Sequence, residues 1–347
     1  MTTDKTITNT INHFIQHGYA VVEDCFDLAD CDFLLQSALS NSGLCLQDRS
    51  SWRRFLEKPV RPGFVNVRSD LAANMESVAP RMWQMLNRLL GSGRIHEPAL
   101  IESKFEINLE RNPGMPWTPP GPKSDSWHLD NWRSVRYLDA GWPNIIAFML
   151  FRDVGPESGG TFICEDSLGP IARRLRDNPQ GLNHYGELPD GSTYRFCLDQ
   201  CTRFRELVGP AGSVVFVNAL MLHAPSQNYS GAARVMNRVT VSLKDRLCFK
   251  RADGQYSPFE KSVLHALGVE SLDYQRQAPQ YFLDSAFDDA VPIALPDSSA
   301  HPEAYFWPFD LRRSNNATSR TPSEGVRIGD IRVNRQQVLR NTETQLT

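Results

Sequence analysis

Side chains two residues apart share a face only where the backbone is extended. Trp127-His128-Leu129-Asp130 therefore joins an imidazole to a carboxylate only as part of a strand, with both groups pointing into one cavity. A third group of the same kind stands at the end of Gly212-Ser-Val-Val-Phe-Val-Asn-Ala-Leu-Met-Leu-His223, where a strongly apolar strand stops just before the histidine. Two imidazoles and one carboxylate on one face make the facial set of non-haem Fe(II) sites, which leaves coordination positions for a co-substrate and oxygen.

The rest of the chain supplies a sheet to carry these ligands. Ile7, Ile11, Phe14 and Ile15 predict a helix over residues 5–17, stopped by Gly18 and followed by the strand Tyr19-Ala-Val-Val. Asp27 caps a predicted helix to Asn41, closed by Gly43, and Asp70 caps another through Leu90 with a kink at Pro80. These helices come before the strands and should buttress a sheet rather than alternate with it, which disfavours a doubly wound parallel fold. Strands are expected over Glu102–Arg111, Ile145–Val154, Thr161–Cys164, Glu206–Gly209, Ser213–Asn218 and Arg234–Lys244. On the first of these, Phe105, Ile107 and Leu109 share a side. Residues 112–125, rich in proline and glycine, form a loop into the His128 strand. The expectation is an all-β core with flanking helices, a double-stranded β-helix of the jelly-roll or cupin-like kind. One domain is expected over residues 1–312, with the N-terminal helical buttress and a β-core at about 100–245, followed by a loosely held, arginine-rich tail over 313–347.

A net charge of −3 gives no general reason to expect nucleic acid or an anionic membrane as partner. The apolar run Ile145–Phe151 is too short to span a bilayer, and Met-Thr-Thr-Asp-Lys does not read as a secretory signal, so a cytoplasmic protein is expected. Seven cysteines without a short framework fit reduced thiols. Cys197 and Cys201 lack the second pair of a zinc site, and His13 and His17 lack the helical glutamate of a metalloprotease. His184 reads as an exposed loop residue.

Beyond His223, a turn over 224–231 leads to a strand with Arg234, Met236, Arg238 and Thr240 on one face. Buried arginines need anions, and the guanidinium fork matches a carboxylate, so this pair suits a dicarboxylic co-substrate. Ion pairs within the protein are the alternative, more for Arg238 than for Arg234.

The stretch from His128 to Lys244 resembles the Fe(II)/2-oxoglutarate-dependent dioxygenases of the phytanoyl-CoA dioxygenase type. The matching pieces are Trp-His128-x-Asp130, Glu157-Ser-Gly-Gly160, Gly212 to Phe216, and His223 with Asn228 and Arg234 following. Phe14 to Asp24 resembles the family's Phe-x-x-x-Gly-Tyr-x-Val-Val entry. The resemblance implies that His128, Asp130 and His223 hold Fe(II), that 2-oxoglutarate chelates the metal, and that Arg234 grips its distal carboxylate. Arg238 with Thr240 is the alternative grip. It further implies oxygen-dependent decarboxylation to succinate, coupled to hydroxylation, desaturation, cyclisation or epoxidation of a small organic substrate such as a secondary-metabolite intermediate. Asp130 leaves no position for chloride, which disfavours halogenation. Ile163-Cys-Glu-Asp-Ser-Leu168 departs from the family's Pro-Gly-Ser-His, so a substrate does not transfer from known members. Trp132 and Arg133 are candidate substrate contacts, although Trp127, Trp132 and Trp142 each read more readily as core and a surface ion pair suits Arg133 equally. A cupin-like lyase or isomerase using the same three ligands would not need Arg234, and a non-catalytic metal- or ligand-binding relative is the third reading.

Overall fold

The structure, a computed structural model, describes residues 4–277 except 41, 59, 60, 62, 111–115, 125, 131–134, 184 and 185, together with 281–283 and 292–294. In chain order its elements are α1 (Asp4–His17), β1 (Tyr19–Val22), α2 (Leu28–Ser40), α3 (Arg53–Leu56), β2 (Phe64–Asn74), α4 (Met75–Val78) and α5 (Pro80–Leu90). There follow β3 (Leu100–Asn108), β4 (Ile145–Leu150), β5 (Thr161–Cys164), α6 (Leu168–Arg176), β6 (Phe204–Glu206), β7 (Val214–Asn218), β8 (His223–Pro225), β9 (Arg234–Thr240) and α7 (Pro258–Leu267). Strands β10 (Tyr281–Leu283) and β11 (Pro292–Ala294) pair with one another.

Two antiparallel sheets make the core, one of six strands in the order β1-β7-β4-β9-β3-β2 and one of three in the order β6-β5-β8. Phe148, Thr161, Arg234 and Met236 line a narrow space between them. This is the jelly-roll arrangement, with helices flanking the larger sheet. Every residue of β4 and β7 is buried, as expected of central strands covered on both faces. The sheet also draws in β1 and β2, so it reaches outside residues 100–245.

The faces of β3 explain how polar groups reach the interior. Its apolar side, with Phe105 and Ile107 buried, turns towards α2, where the Ser103 hydroxyl donates to the Leu34 carbonyl at 2.7 Å. The opposite side carries Glu106 and Asn108, whose register partners on β9 are Met236 and Arg234. Cross-strand partners share a face, so a glutamate and an asparagine stand beside the arginine strand.

The helix expected from Asp70 to Leu90 divides. Asp70-Leu-Ala-Ala-Asn74 belongs to β2, whose register against β3 shifts between Arg68 and Ala72, a bulge that absorbs the polar residues. Asn74 then caps α4 by accepting from the Ser77 amide at 3.2 Å. Pro80 opens α5 instead of kinking a longer helix, because a first-turn residue needs no amide hydrogen. The strands expected as far as Val154 and Lys244 stop at Leu150 and Thr240, and the one expected over 206–209 runs from Phe204 to Glu206. The tail over 313–347 lies outside the described residues.

A buried ion cluster ties α7 to the body. Ser257 and Glu260 form a capping box, and the Glu260 carboxylate also accepts from Arg94 at 3.1 Å, Arg251 at 3.0 Å and the Cys248 amide at 2.9 Å. Burial alone would raise the Glu260 pKa, but the amides of Cys248 and Ser257, with Arg94 and Arg251, outweigh it and hold the value below the usual range. A depressed carboxyl contributes stability above its unfolded value of about 4.3 and loses it as pH falls through the lower folded value. Glu260→Gln is expected to cost about 2–4 kcal/mol at pH 7 and to flatten the acid limb of stability, read by urea unfolding from pH 7 to pH 3.

Candidate metal centre

The two histidines are brought together by the backbone. His128 and His223 face one another as an antiparallel bridge, with amide-to-carbonyl distances of 3.0 Å and 3.1 Å in the two directions. Their rings consequently lie side by side, centroids 4.4 Å apart. Asp130, two residues along the extended chain, places Oδ1 3.8 Å from Nε2 of His128 and 3.7 Å from Nε2 of His223. One ligand atom from each of the three residues lies within 4.8 Å of the others.

Outer contacts orient both rings. Nδ1 of His128 lies 2.7 Å from the Ser126 carbonyl, and Nδ1 of His223 lies 3.2 Å from the Met221 carbonyl. A carbonyl only accepts, so these contacts call for a proton on each Nδ1 and leave each Nε2 lone pair facing Asp130. Ser126 turns its carbonyl onto the ring from a left-handed backbone, φ +67°, a conformation uncommon for its residue type. Desolvation of the His128 ring, followed by the field of His223, lowers its pKa to about 4, so it is neutral at pH 7. Burial works to raise the Asp130 pKa, but Arg238 and the two histidines hold it well below the carboxylate range. Two imidazoles and one carboxylate are a donor set that fits a first-row divalent metal.

Around this set the two arginines of β9 differ. Arg238 donates from Nη1 to Oδ2 of Asp130 and from Nε to Glu106 at 3.0 Å, so it is already ion-paired on both sides. Asp130 consequently turns one oxygen to the histidines and the other to Arg238. Arg234 is 3% exposed and donates only to carbonyls, Gly159 at 2.9 Å and Glu106 at 3.0 Å. It has no carboxylate partner among the described residues. Burial lowers its pKa to about 10, partly opposed by Glu106, and it stays cationic at pH 7.

The turn Glu157-Ser-Gly-Gly160 serves this arginine. Glu206 accepts from the amides of Glu157 at 2.8 Å and Gly160 at 2.9 Å, which turns the Gly159 carbonyl to Arg234. A Cβ on Gly160 would stand 2.3 Å from the Leu207 carbonyl, so only glycine fits. Asn228 staples the loop between His223 and Arg234 by donating to the carbonyls of Asn108 and Ala232, each at 2.7 Å.

Thr240 accepts from the Trp142 indole at 3.3 Å, and Trp127 donates to the Gly121 carbonyl at 2.9 Å; both tryptophans are buried. Trp132, Arg133 and His184 lie outside the described residues. Cys201 gathers with Cys164 and Asp166, and its thiol donates to the Cys197 carbonyl at 3.0 Å. Asp166 is occupied there by the amides of Thr202 and Arg203. Glu106, which pairs with Arg238 beside the centre, stands out only in three dimensions, because its place depends on strand register. No family model matches the chain, and no curated protein matches it.

Among solved structures, the chain is similar to SnoN, a non-haem alpha-ketoglutarate-dependent epimerase from nogalamycin biosynthesis, at 14% identity and a TM-score of 0.42 over 69% of this chain and 82% of that one. It is also similar to AviO1 from Streptomyces viridochromogenes Tue57, at 16% identity and a TM-score of 0.39 over 68% and 94%. HygX from Streptomyces hygroscopicus, solved with nickel, 2-oxoglutarate and hygromycin B, matches at 13% identity and a TM-score of 0.35 over 67% and 86%.

Proposed function

We propose that this chain is an Fe(II)- and 2-oxoglutarate-dependent oxygenase acting on a small organic molecule. The observation that carries the reading is a His128–Asp130–His223 donor set accompanied, between the same two sheets, by the buried cation Arg234 with no carboxylate partner among the described residues. A lone buried charge costs several kcal/mol unless an anion meets it. The distal carboxylate of 2-oxoglutarate is such an anion, and a cupin-like lyase or isomerase would leave the charge unanswered.

Iron bound by the three ligands would supply oxygen activation coupled to decarboxylation of 2-oxoglutarate to succinate. The chain's own groups do the positioning. His128 and His223 present Nε2 because their Nδ1 atoms are engaged by carbonyls. Arg238 restrains Asp130 to one free oxygen and, being paired to Glu106 as well, is less suited than Arg234 to grip a co-substrate. The buried flank of β4 and β7 would keep water from a co-substrate held between the sheets.

Calorimetric titration of the anaerobic Fe(II)-loaded chain with 2-oxoglutarate tests this reading, followed by oxygen and measurement of succinate. Metal-dependent binding and succinate formation are expected. A metal-loaded chain that does not bind 2-oxoglutarate would overturn the reading. Among the described residues no helix is long and apolar enough to cross a membrane.

A further inference from the structure

A second set of metal-ligating side chains lies on the far face of the small sheet, and nothing described so far uses it. Ile163 is the register partner of His223 and shares its face, so Cys164, the next residue of β5, points to the opposite face, away from the His128–Asp130–His223 set. There the thiols of Cys164 and Cys201 and a carboxylate oxygen of Asp166 lie within 4.8 Å of one another. Both cysteines are buried, while the Asp166 side chain is 22% exposed, which gives the set a way in from solvent. Cys197 and Cys201 lack a second cysteine pair in the sequence, and the fold brings up Cys164 in its place.

The atoms are spaced as a zinc polyhedron requires. Zinc–sulfur bonds of about 2.3 Å and zinc–oxygen bonds of about 2.1 Å, at the tetrahedral angle, put sulfur and oxygen about 3.6 Å apart. The Cys164 thiol donates to Oδ1 of Asp166 at 3.5 Å. Outer contacts fix Asp166 in that place: Oδ2 accepts from the Thr202 amide at 2.8 Å and its hydroxyl at 3.2 Å, and the Arg203 amide reaches both oxygens at 3.3 Å. Such contacts orient a ligating carboxylate and leave lone-pair capacity on Oδ1. The Cys197 carbonyl, 3.0 Å from the Cys201 sulfur, is a further oxygen beside the set.

We infer that Cys164, Asp166 and Cys201 form a zinc site that ties the start of β6 to the end of β5. It is independent of the oxygenase reading. Binding releases the two thiol protons to solvent, and two thiolates with one carboxylate then carry three negative charges. Zn(II) and Arg203, whose Nε lies 4.0 Å from Oδ2 of Asp166, offset all three, whereas a monovalent soft cation would leave one unbalanced in a buried place. A disulfide between the two cysteines would make no use of the carboxylate fixed beside them.

The test is cobalt substitution in the full chain, stripped of metal by a chelator and kept reduced. Co(II) bound by thiolates shows an intense near-ultraviolet sulfur-to-metal charge-transfer band, which a site of imidazoles and carboxylate lacks. Wild type is expected to show that band together with the visible bands of a tetrahedral ion, and a slight excess of Zn(II) should abolish both. The band should persist in full in His128→Ala, where the other centre has lost a ligand, and in Cys45→Ser, at an exposed thiol. Cys164→Ser and Cys201→Ser should each lose most of it. Zinc should also raise the Tm of the stripped His128→Ala chain, and that rise should vanish when Cys201→Ser is added. No charge-transfer band in wild type would overturn the inference whether or not the serine variants fold. So would a band that survives in the Cys164→Ser, Cys201→Ser double variant, or one that disappears in His128→Ala or Cys45→Ser.

Discussion

Asp130→Ala is expected to lower metal-dependent succinate formation on the order of a thousandfold. Two losses combine. The only carboxylate disappears from a set that otherwise offers two imidazoles, so a divalent cation loses its charge partner. At the same time Arg238 loses Asp130, and its positive charge then faces the position of the metal. Arg238→Ala removes only the outer partner of the carboxylate and should weaken metal affinity about tenfold, the range typical of groups that orient a ligand. Metal content after dialysis and succinate yield measure both variants. An Asp130→Ala protein that retained iron with wild-type affinity would mean that the ion binds elsewhere.

Arg234→Met should raise the 2-oxoglutarate concentration needed for half-maximal turnover about a hundredfold, because truncating one member of a buried charge pair costs several kcal/mol. The rate at saturating 2-oxoglutarate should fall much less, since the proposed grip would act far from the reacting atoms and stabilise ground and transition states alike. Thr240→Val should leave the requirement unchanged, because its hydroxyl already serves the Trp142 indole. A larger change in Arg238→Ala than in Arg234→Met would transfer the co-substrate role to Arg238.

The gathering of His128, Asp130 and His223 was legible because their geometry is local. His128 and Asp130 share a face by strand periodicity, and His223 closes an apolar strand, so their chemistry is written within a few positions. The alternation of Arg234, Met236, Arg238 and Thr240 was legible for the same reason. What periodicity does not carry is the identity of the neighbour. Glu106 partners Arg238 only through the register of β3 against β9, which decides that the polar side of β3 meets the arginines. Asp70-Leu-Ala-Ala-Asn74 reads locally as a helix start, yet pairing with β3 overrides that preference and moves the helical boundary to Met75.

The backbone bridge between His128 and His223 has a consequence for assembly. Two of the three ligands are brought into register by main-chain hydrogen bonds, the same kind that build the sheets, so gathering them is part of folding itself. Iron then has little chain entropy to overcome on arrival. Folding and metallation become separable events, unlike those of small domains that collapse only around their ion. A chelator should strip the site and leave a cooperatively melting fold that can be reloaded with another divalent metal.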